Sequence, residues 1–181
     1  MNSNSHSGCR RQQCGFTLIE LMIVLVISAV LMSTFAPNLR GALARNQLMG
    51  QAHELAGAMS NARSEAITRG TQAGVCASAN GTSCSGSVDD WGKFILVFID
   101  TDLGSDFDNT EPLLKSFTAH NQVDQSASVA AIFFTSSGFS TLNATSNIDV
   151  CHTDSSESSM CRRVSVGPSG NVSVTTITVS S

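Results

Sequence analysis

The run from Phe16 to Ala36, FTLIELMIVLVISAVLMSTFA, decides what kind of chain this is. It is almost wholly apolar. As a helix rising about 1.5 Å per residue it is roughly 31 Å long, close to the hydrocarbon thickness of a bilayer. Glu20 is its one charge. A carboxylate inside a membrane segment costs roughly 2.5–3.5 kcal/mol or more, so it demands a partner or a purpose. Arg10 and Arg11 stand on the polar flank before the run, and Gly15 marks the join. Two ordinary readings each fit part of this. A secretory signal peptide has a basic start and an apolar core but needs a small-residue cleavage site after it. Ser33 and Ala36 mimic such a site only loosely, and the run is long for such a peptide. A plain anchor accounts for the length and leaves Glu20 unexplained.

Gly15-Phe-Thr-Leu-Ile-Glu-Leu21, followed by the apolar run, resembles without a gap the class III signal of type IV prepilins and type II secretion pseudopilins. The resemblance implies that a prepilin peptidase cuts between Gly15 and Phe16 and methylates the new amino terminus on Phe16. It also makes Glu20 the family's acidic residue near the mature start. The physics is coherent. In a filament whose apolar helices pack away from water, the amino group of Phe16 is a buried cation. Glu20 of a neighbouring subunit is a partner for it, and because an unpaired buried charge is strongly disfavoured, the pair sets the axial register.

The formal net charge is −4, and without residues 1–15, which hold Arg10, Arg11 and no acid, it is −6. That balance is not the signature of a protein that coats nucleic acid. Of six cysteines, Cys9 and Cys14 precede the expected cut. Cys76, Cys84, Cys151 and Cys161 follow the apolar run and allow three pairings. The local one, Cys76–Cys84 and Cys151–Cys161, closes two short loops, each stabilising by roughly 2.5–3 kcal/mol in the chain-entropy model. Zinc is the competing use, but no C-x-x-C occurs, and His53, His120 and His152 are scattered. An oxidising periplasm fits the local pairs.

Organisation follows from periodicity. Residues 1–15 are a polar leader, 16–36 a transmembrane helix segment, 37–70 a helix packing on a head, and 71–181 a β-rich periplasmic head. Pro37 removes one helical N–H, so a kink or loosening is expected there. Beyond it Leu48, Ala52, Leu55, Met59, Ala62 and Ala66 recur at helical spacing as one apolar stripe. Gly70 is the expected stop. Strands are expected at 73–76, 93–99, 113–118, 129–134, 148–151, 163–166 and 172–179, separated by Gly, Ser, Asn and Asp clusters. The run at 93–99 is nearly continuous and therefore buried on both faces. Strands after one long helix make an α+β domain.

Asp89-Asp-Trp91-Gly-Lys-Phe-Ile-Leu-Val-Phe-Ile-Asp100, then Gly104, Asp108 and Glu111-Pro-Leu-Leu114, is similar to the GspH/FimT branch of the pilin-like proteins. Phe134, Gly138, Cys151, Cys161-Arg-Arg-Val164 and Gly170 agree in order and rough spacing. The resemblance implies a pilin-like fold and a minor pilin of a type IV pilus, acting in assembly, priming or at the tip. The implied partners are other pilin-like subunits, the prepilin peptidase and the inner membrane. A minor pseudopilin of type II secretion shares the fold. A DNA-binding minor pilin for DNA uptake is the alternative from another class, with Arg162 and Arg163 as its candidate residues. Here Asn171 follows Gly170 and no arginine follows Arg163. Adjacent residues of a strand point to opposite faces, so at most one of the two serves a given surface.

The remaining chemistry is thin. Asp100, Asp102, Asp106, Asp108 and Glu111 form an acidic cluster. Asp100 and Glu111 are spaced as the ends of an EF-hand loop, but Gly104 falls one place early and no helix pattern flanks it. The ordinary reading is a solvated turn, with calcium as the sharper one. Trp91 is expected at the rim of the head. No G-x-S-x-G or other positioned nucleophile occurs, so an enzyme is not expected.

Overall fold

The computed structural model describes residues 16–104, 106–107, 110–119, 123–152 and 160–178, the side chains of 34–40, 160 and 178 excepted. Gly15 with the rest of the leader, including Cys9 and Cys14, lies outside the described residues, as do Asp108 and His120. The chain divides into two compact units, Met1–Arg40 and Gly41–Ser181. One helix, α1, Leu18–Arg69, has residues in both.

From Leu18 to Ser33 α1 carries apolar side chains on every side, with Glu20 its one charge. Leu18, Ile19, Leu21–Ile27, Val30, Leu31 and Met32 are all exposed. Ser28 and Ser33 donate their hydroxyls back to the carbonyls of Val24 and Val30 (2.7 Å each), so neither asks for water. The expected membrane span is not met within the described residues, where no helix is long and apolar enough to cross a membrane. The apolar stretch with described side chains, Leu18–Ser33, rises only about 24 Å. Pro37 does not break the helix: α1 continues through it.

In the second unit α1 turns amphipathic and ends where Gly70 takes φ +67°, the left-handed conformation that glycine adopts without strain. The N–H of Thr71 then reaches the carbonyl of Ala66 at 3.2 Å, the reversed bond that closes a helix at a glycine. Among the described residues eight strands follow: β1 Gln72–Ser78, β2 Phe94–Asp100, β3 Leu113–Thr118, β4 Val123–Ala127, β5 Ala131–Phe134, β6 Ser146–His152, β7 Met160–Val166 and β8 Val172–Thr178. They form two four-stranded antiparallel sheets, in the orders β3-β2-β1-β5 and β4-β6-β7-β8.

The α1 stripe Leu48, Ala52, Leu55, Met59, Ala62 and Ala66 is buried, and both sheets contribute to the core around it. Val75, Ile95, Val97, Ile132 and Phe134 come from the first sheet, and Ile148, Val150, Val164 and Val166 from the second. Small alanines on the helix face let the sheets approach closely. Leu96, Phe98 and Phe133 turn the other way and form a second cluster with Cys76 and Phe107, so β2 is covered on both sides, as its unbroken apolar run implies.

Two expectations change. β4 carries only alternate buried residues, Val123 and Gln125, a pattern too short and polar to read as a strand. Trp91 is fully buried rather than at a rim. It sits on a 3₁₀ turn, Val88–Gly92, and donates its indole N–H to the carbonyl of Val129 at 2.7 Å. That bond satisfies a backbone group just before β5, whereas an unsatisfied buried one costs roughly 1–3 kcal/mol.

The same turn carries an ion pair, Lys93 Nζ to Asp90 Oδ1 at 2.6 Å. Lys93, with a further hydrogen bond from Ser85, holds the Asp90 carboxyl below its ordinary range. A depressed folded-state pKa gives stability that is present above the unfolded value, near pH 4, and is lost as pH falls through the lower folded value. Thermal unfolding of the chain and of Asp90→Asn at stepped pH should therefore show a gap at neutral pH that closes below about pH 4. A gap that widens in acid would contradict the pairing.

Candidate functional site

The first turn of α1 is built as a cap. Thr17 lies just outside the helix, and its hydroxyl accepts the backbone N–H of Glu20 at 3.3 Å. Its carbonyl takes the N–H of Leu21 at 3.2 Å. Thr17-x-x-Glu20 is thus the start signature of a helix, a threonine cap with an acid at the third position. Glu20 sits where the helix dipole favours negative charge. Beside it Phe16 is 84% exposed. The acid therefore has a local role as well as the assembly role expected of it, and the spacing from Thr17 was the signal for it.

The four described cysteines are bonded as Cys76–Cys84 and Cys151–Cys161. The second bond joins residues directly opposite on β6 and β7, with Cα atoms 4.3 Å apart. It heads a column of cross-strand pairs on one face of the second sheet. Next comes Asp149 against Arg163, joined by two hydrogen bonds of 2.6 and 2.7 Å. Then Ser165 donates to Asn147 at 2.7 Å. Bidentate bonding to Asp149 raises the Arg163 guanidinium pKa. Arg162 faces the other way and donates to Thr176 of β8. The two arginines are brought together in sequence only; each is engaged by its own strand neighbour.

The tip of the acidic loop is solvated as expected, with Asp102 and Asp106 exposed, but its two ends are not. Asp100 is fully buried at the end of β2, and Glu111 is nearly so. Gln72 donates to Asp100 at 2.9 Å, and the N–H of Thr101 donates to Glu111 at 2.9 Å. The first bond ties Asp100 to β1, and the second ties the loop's two ends together. Asp102 accepts from Gly104 at 2.8 Å, a local turn bond. Among the described residues Asp100, Asp102 and Glu111 bring one oxygen each within 4.8 Å of one another, while Asp106 is outside that group and exposed. Both buried acids already spend an oxygen on a protein donor.

Residues 51–170 match the family described as Type II transport protein GspH, and residues 10–36 match the prokaryotic N-terminal methylation motif. The chain belongs to the GspH family. Among solved structures, the type IV minor pilin FimU of Pseudomonas aeruginosa is similar at 20% identity and a TM-score of 0.54, over 72% of this chain and 90% of that one. The minor pseudopilin EpsH of the Type 2 Secretion System of Vibrio cholerae is similar at 15% identity and a TM-score of 0.52, over 72% and 97%. At these identities the likeness is one of fold: a helix followed by an antiparallel β head. No curated protein matches the sequence.

The GspH match ends at Gly170, and the structure shows why a glycine stands there. Arg63 of α1 donates to the carbonyls of Gly138 (2.8 Å) and Ser169 (3.4 Å). It thereby joins the helix to the turn after β5 and the turn before β8. Ser140 cross-links the same two turns, its N–H to Pro168 and its hydroxyl to Gly167. Gly138 and Gly170 have φ +81° and +73°, and a Cβ on Gly170 would lie 2.1 Å from the Gly138 oxygen. This joint gives Arg63 a role that helical periodicity alone does not reveal, since the stripe places it off the core face.

For the DNA reading this GspH-family head offers one arginine held by Asp149 and one bonded to Thr176. With the negative balance of the chain, duplex DNA should be shifted poorly even at low salt. Gel-shift titration is expected to give no micromolar complex, and Arg162→Ala with Arg163→Ala no change. Micromolar binding abolished by those two changes would reverse the ranking.

Proposed function

We propose that this GspH-family chain is a minor pilin-like subunit that works by assembly rather than turnover. It is held by α1 in the inner membrane with its head in the periplasm until it is drawn into a filament. A prepilin peptidase cuts between Gly15 and Phe16 and methylates Phe16. The neighbouring filament subunits supply the cover that α1 lacks on its own. The carrying observation is the first part of α1, apolar on every side and exposed, with Glu20 its one charge. A helix that is hydrophobic all round belongs in a bilayer or a bundle core. Burying each large apolar side chain is favourable by roughly 1.5–3 kcal/mol, which makes the free state of this segment untenable in water. The role we assign is assembly, priming or a tip position in a type IV pilus, with a type II secretion pseudopilus as the alternative of the same fold.

Processing is the direct test. Intact-mass measurement of the membrane form is expected to show residues 1–15 missing and one added methyl. A mature chain still beginning at Met1 would sink the pilin reading.

A further inference from the structure

Within the second unit α1 and the start of β8 stand apart. Between Ser60, Arg63, Ser64 and Ile67 on the helix and Asn171 and Val172 on the strand lies an open cleft of about 440 Å³. It is at the Val166–Val172 end of the β7–β8 pair, about 20 Å along the strands from Met160 and Thr178. Apolar surface borders it. Ile67 is 51% exposed and lies so close over Gly138 that a Cβ there would meet its Cδ1 at 2.8 Å. Phe139, next to Gly138 in the turn that Arg63 holds, is 57% exposed.

The electrostatics of the cleft is one-sided. The carbonyls of Gly138 and Ser169 engage two of the five N–H groups of Arg63 and leave its charge unneutralised. Arg69, Lys93, Lys115 and Arg163 each lie against a carboxylate at 2.6–3.1 Å, whereas Arg63 has none among the described residues. Every other residue lining the cleft is neutral. A guanidinium fixed in place by two carbonyls and half-buried beside apolar surface is a seat for a carboxylate, which it binds by charge-assisted hydrogen bonds. The space is far larger than a lone small anion fills, since a water-sized body takes about 30 Å³. A peptide segment enters it with its acid foremost.

We infer that this cleft receives an acidic segment of a companion pilin-like subunit, an inference that rests on the assembly reading above. An Asp or Glu of that segment reaches Arg63, and its apolar neighbours cover Ile67, Val172 and Phe139. Arginine and exposed aromatic residues are the types that protein–protein interfaces concentrate. A minor subunit meets few copies of itself, so the occupant is a different subunit. A nucleic-acid backbone does not suit the cleft. It presents a phosphate at every nucleotide and calls for a row of cations, whereas the lining holds one. One carboxylate matches one guanidinium.

The test uses the full chain in membranes of cells that make it with its companion subunits. A photoreactive residue is placed at Ser60 or Ser64, both exposed on the helix wall of the cleft, and at exposed Ser126 on β4 as the control. The expected product from 60 and from 64 is a cross-link to one segment of one companion subunit, a segment that carries an Asp or Glu, with none from 126. No product, a product with a second copy, attachment to nucleic acid, or a segment without an acid would overturn the inference. Asn171→Asp then tests the charge. The two side chains have the same shape, and an aspartate oxygen still accepts the hydroxyl of Ser169, so the turn is kept. The added carboxylate competes for Arg63 and repels the incoming one. With the probe at 64 the cross-link is expected to fall about tenfold or more. Ser173→Asp puts the same charge on the opposite face of β8 and is expected to leave the cross-link unchanged. If Asn171→Asp lowers the unfolding temperature, Ser60→Glu takes its place with the same expectation, since an acid one turn before Arg63 supports the helix. A folded acidic variant that keeps the cross-link, or an equal loss from Ser173→Asp, would overturn the inference. A processed membrane form that gives no cross-link sinks this inference alone, whereas an unprocessed chain sinks the reading beneath it.

Discussion

Gly170→Ala is expected to lower the stability of the head by roughly 2–5 kcal/mol, the sum of a left-handed backbone and an overpacked contact. Gly170 has φ +73°, and the added methyl would meet the Gly138 carbonyl oxygen at 2.1 Å and Arg63 Nε at 3.0 Å. The first neighbour is backbone, so relief requires the turn after β5 to move. That turn is fixed by Arg63 and Ser140, and moving it breaks the bonds joining α1 to both turns. Gly86→Ala separates the two causes. Gly86 has φ +69° and nothing within 4 Å of the position of a Cβ, so it pays the backbone strain alone, about 1–2 kcal/mol. At roughly 2–4 °C per kcal/mol for a chain of this size, Gly170→Ala should melt on the order of 10 °C lower. Equal melting of the two variants would show that the close approach of the two turns is not made in solution.

What the sequence disclosed was whatever repeats with a period. The α1 stripe and the unbroken apolar run of β2 are read from spacing alone, and both are buried where spacing puts them. The stop at Gly70 is a short local code and equally readable, whereas the cap at Thr17 went unread beside the apolar run. Elements fixed by distant partners were not. β4 is held by pairing with β6, and its five residues have no pattern of their own. Trp91 is buried because the Val129 carbonyl waits for its indole, across 38 residues of sequence. The acidic loop reads as solvated because charge usually is. Its two end acids are buried because Gln72 and the Thr101 N–H meet Asp100 and Glu111 from the neighbouring strand and the loop's own start. Arg63 looks like any exposed helix arginine until two turns, 75 and 106 residues on, present carbonyls to it. The glycines that carry the family likeness, Gly138 and Gly170, prove to be partners in one contact, which their separate positions in the chain do not suggest.

Glu20→Gln is expected to leave the helix and the head nearly unchanged and to remove the chain from filaments. The cap survives because Thr17 accepts the backbone N–H of residue 20, which glutamine keeps. What is lost locally is a charge in the first turn of α1, where the dipole interaction is about 0.3–1 kcal/mol. In the assembled state the loss is of another order. If the methylated amino terminus of a neighbouring Phe16 lies against Glu20 among apolar helices, glutamine leaves that cation buried and unpaired, at roughly 3–5 kcal/mol. Each 1.4 kcal/mol is a factor of ten, so incorporation should fall roughly a hundred- to a thousand-fold or more. The measurement is the ratio of chain in sheared filaments to chain left in membranes, alongside the unfolding temperature and the processed mass. A variant that is processed, folds and enters filaments as well as the parent would reduce Glu20 to a residue of the helix cap. Loss of incorporation with an unchanged unfolding temperature separates the two roles, because a cap residue acts on the helix wherever it is and a register charge acts only between subunits.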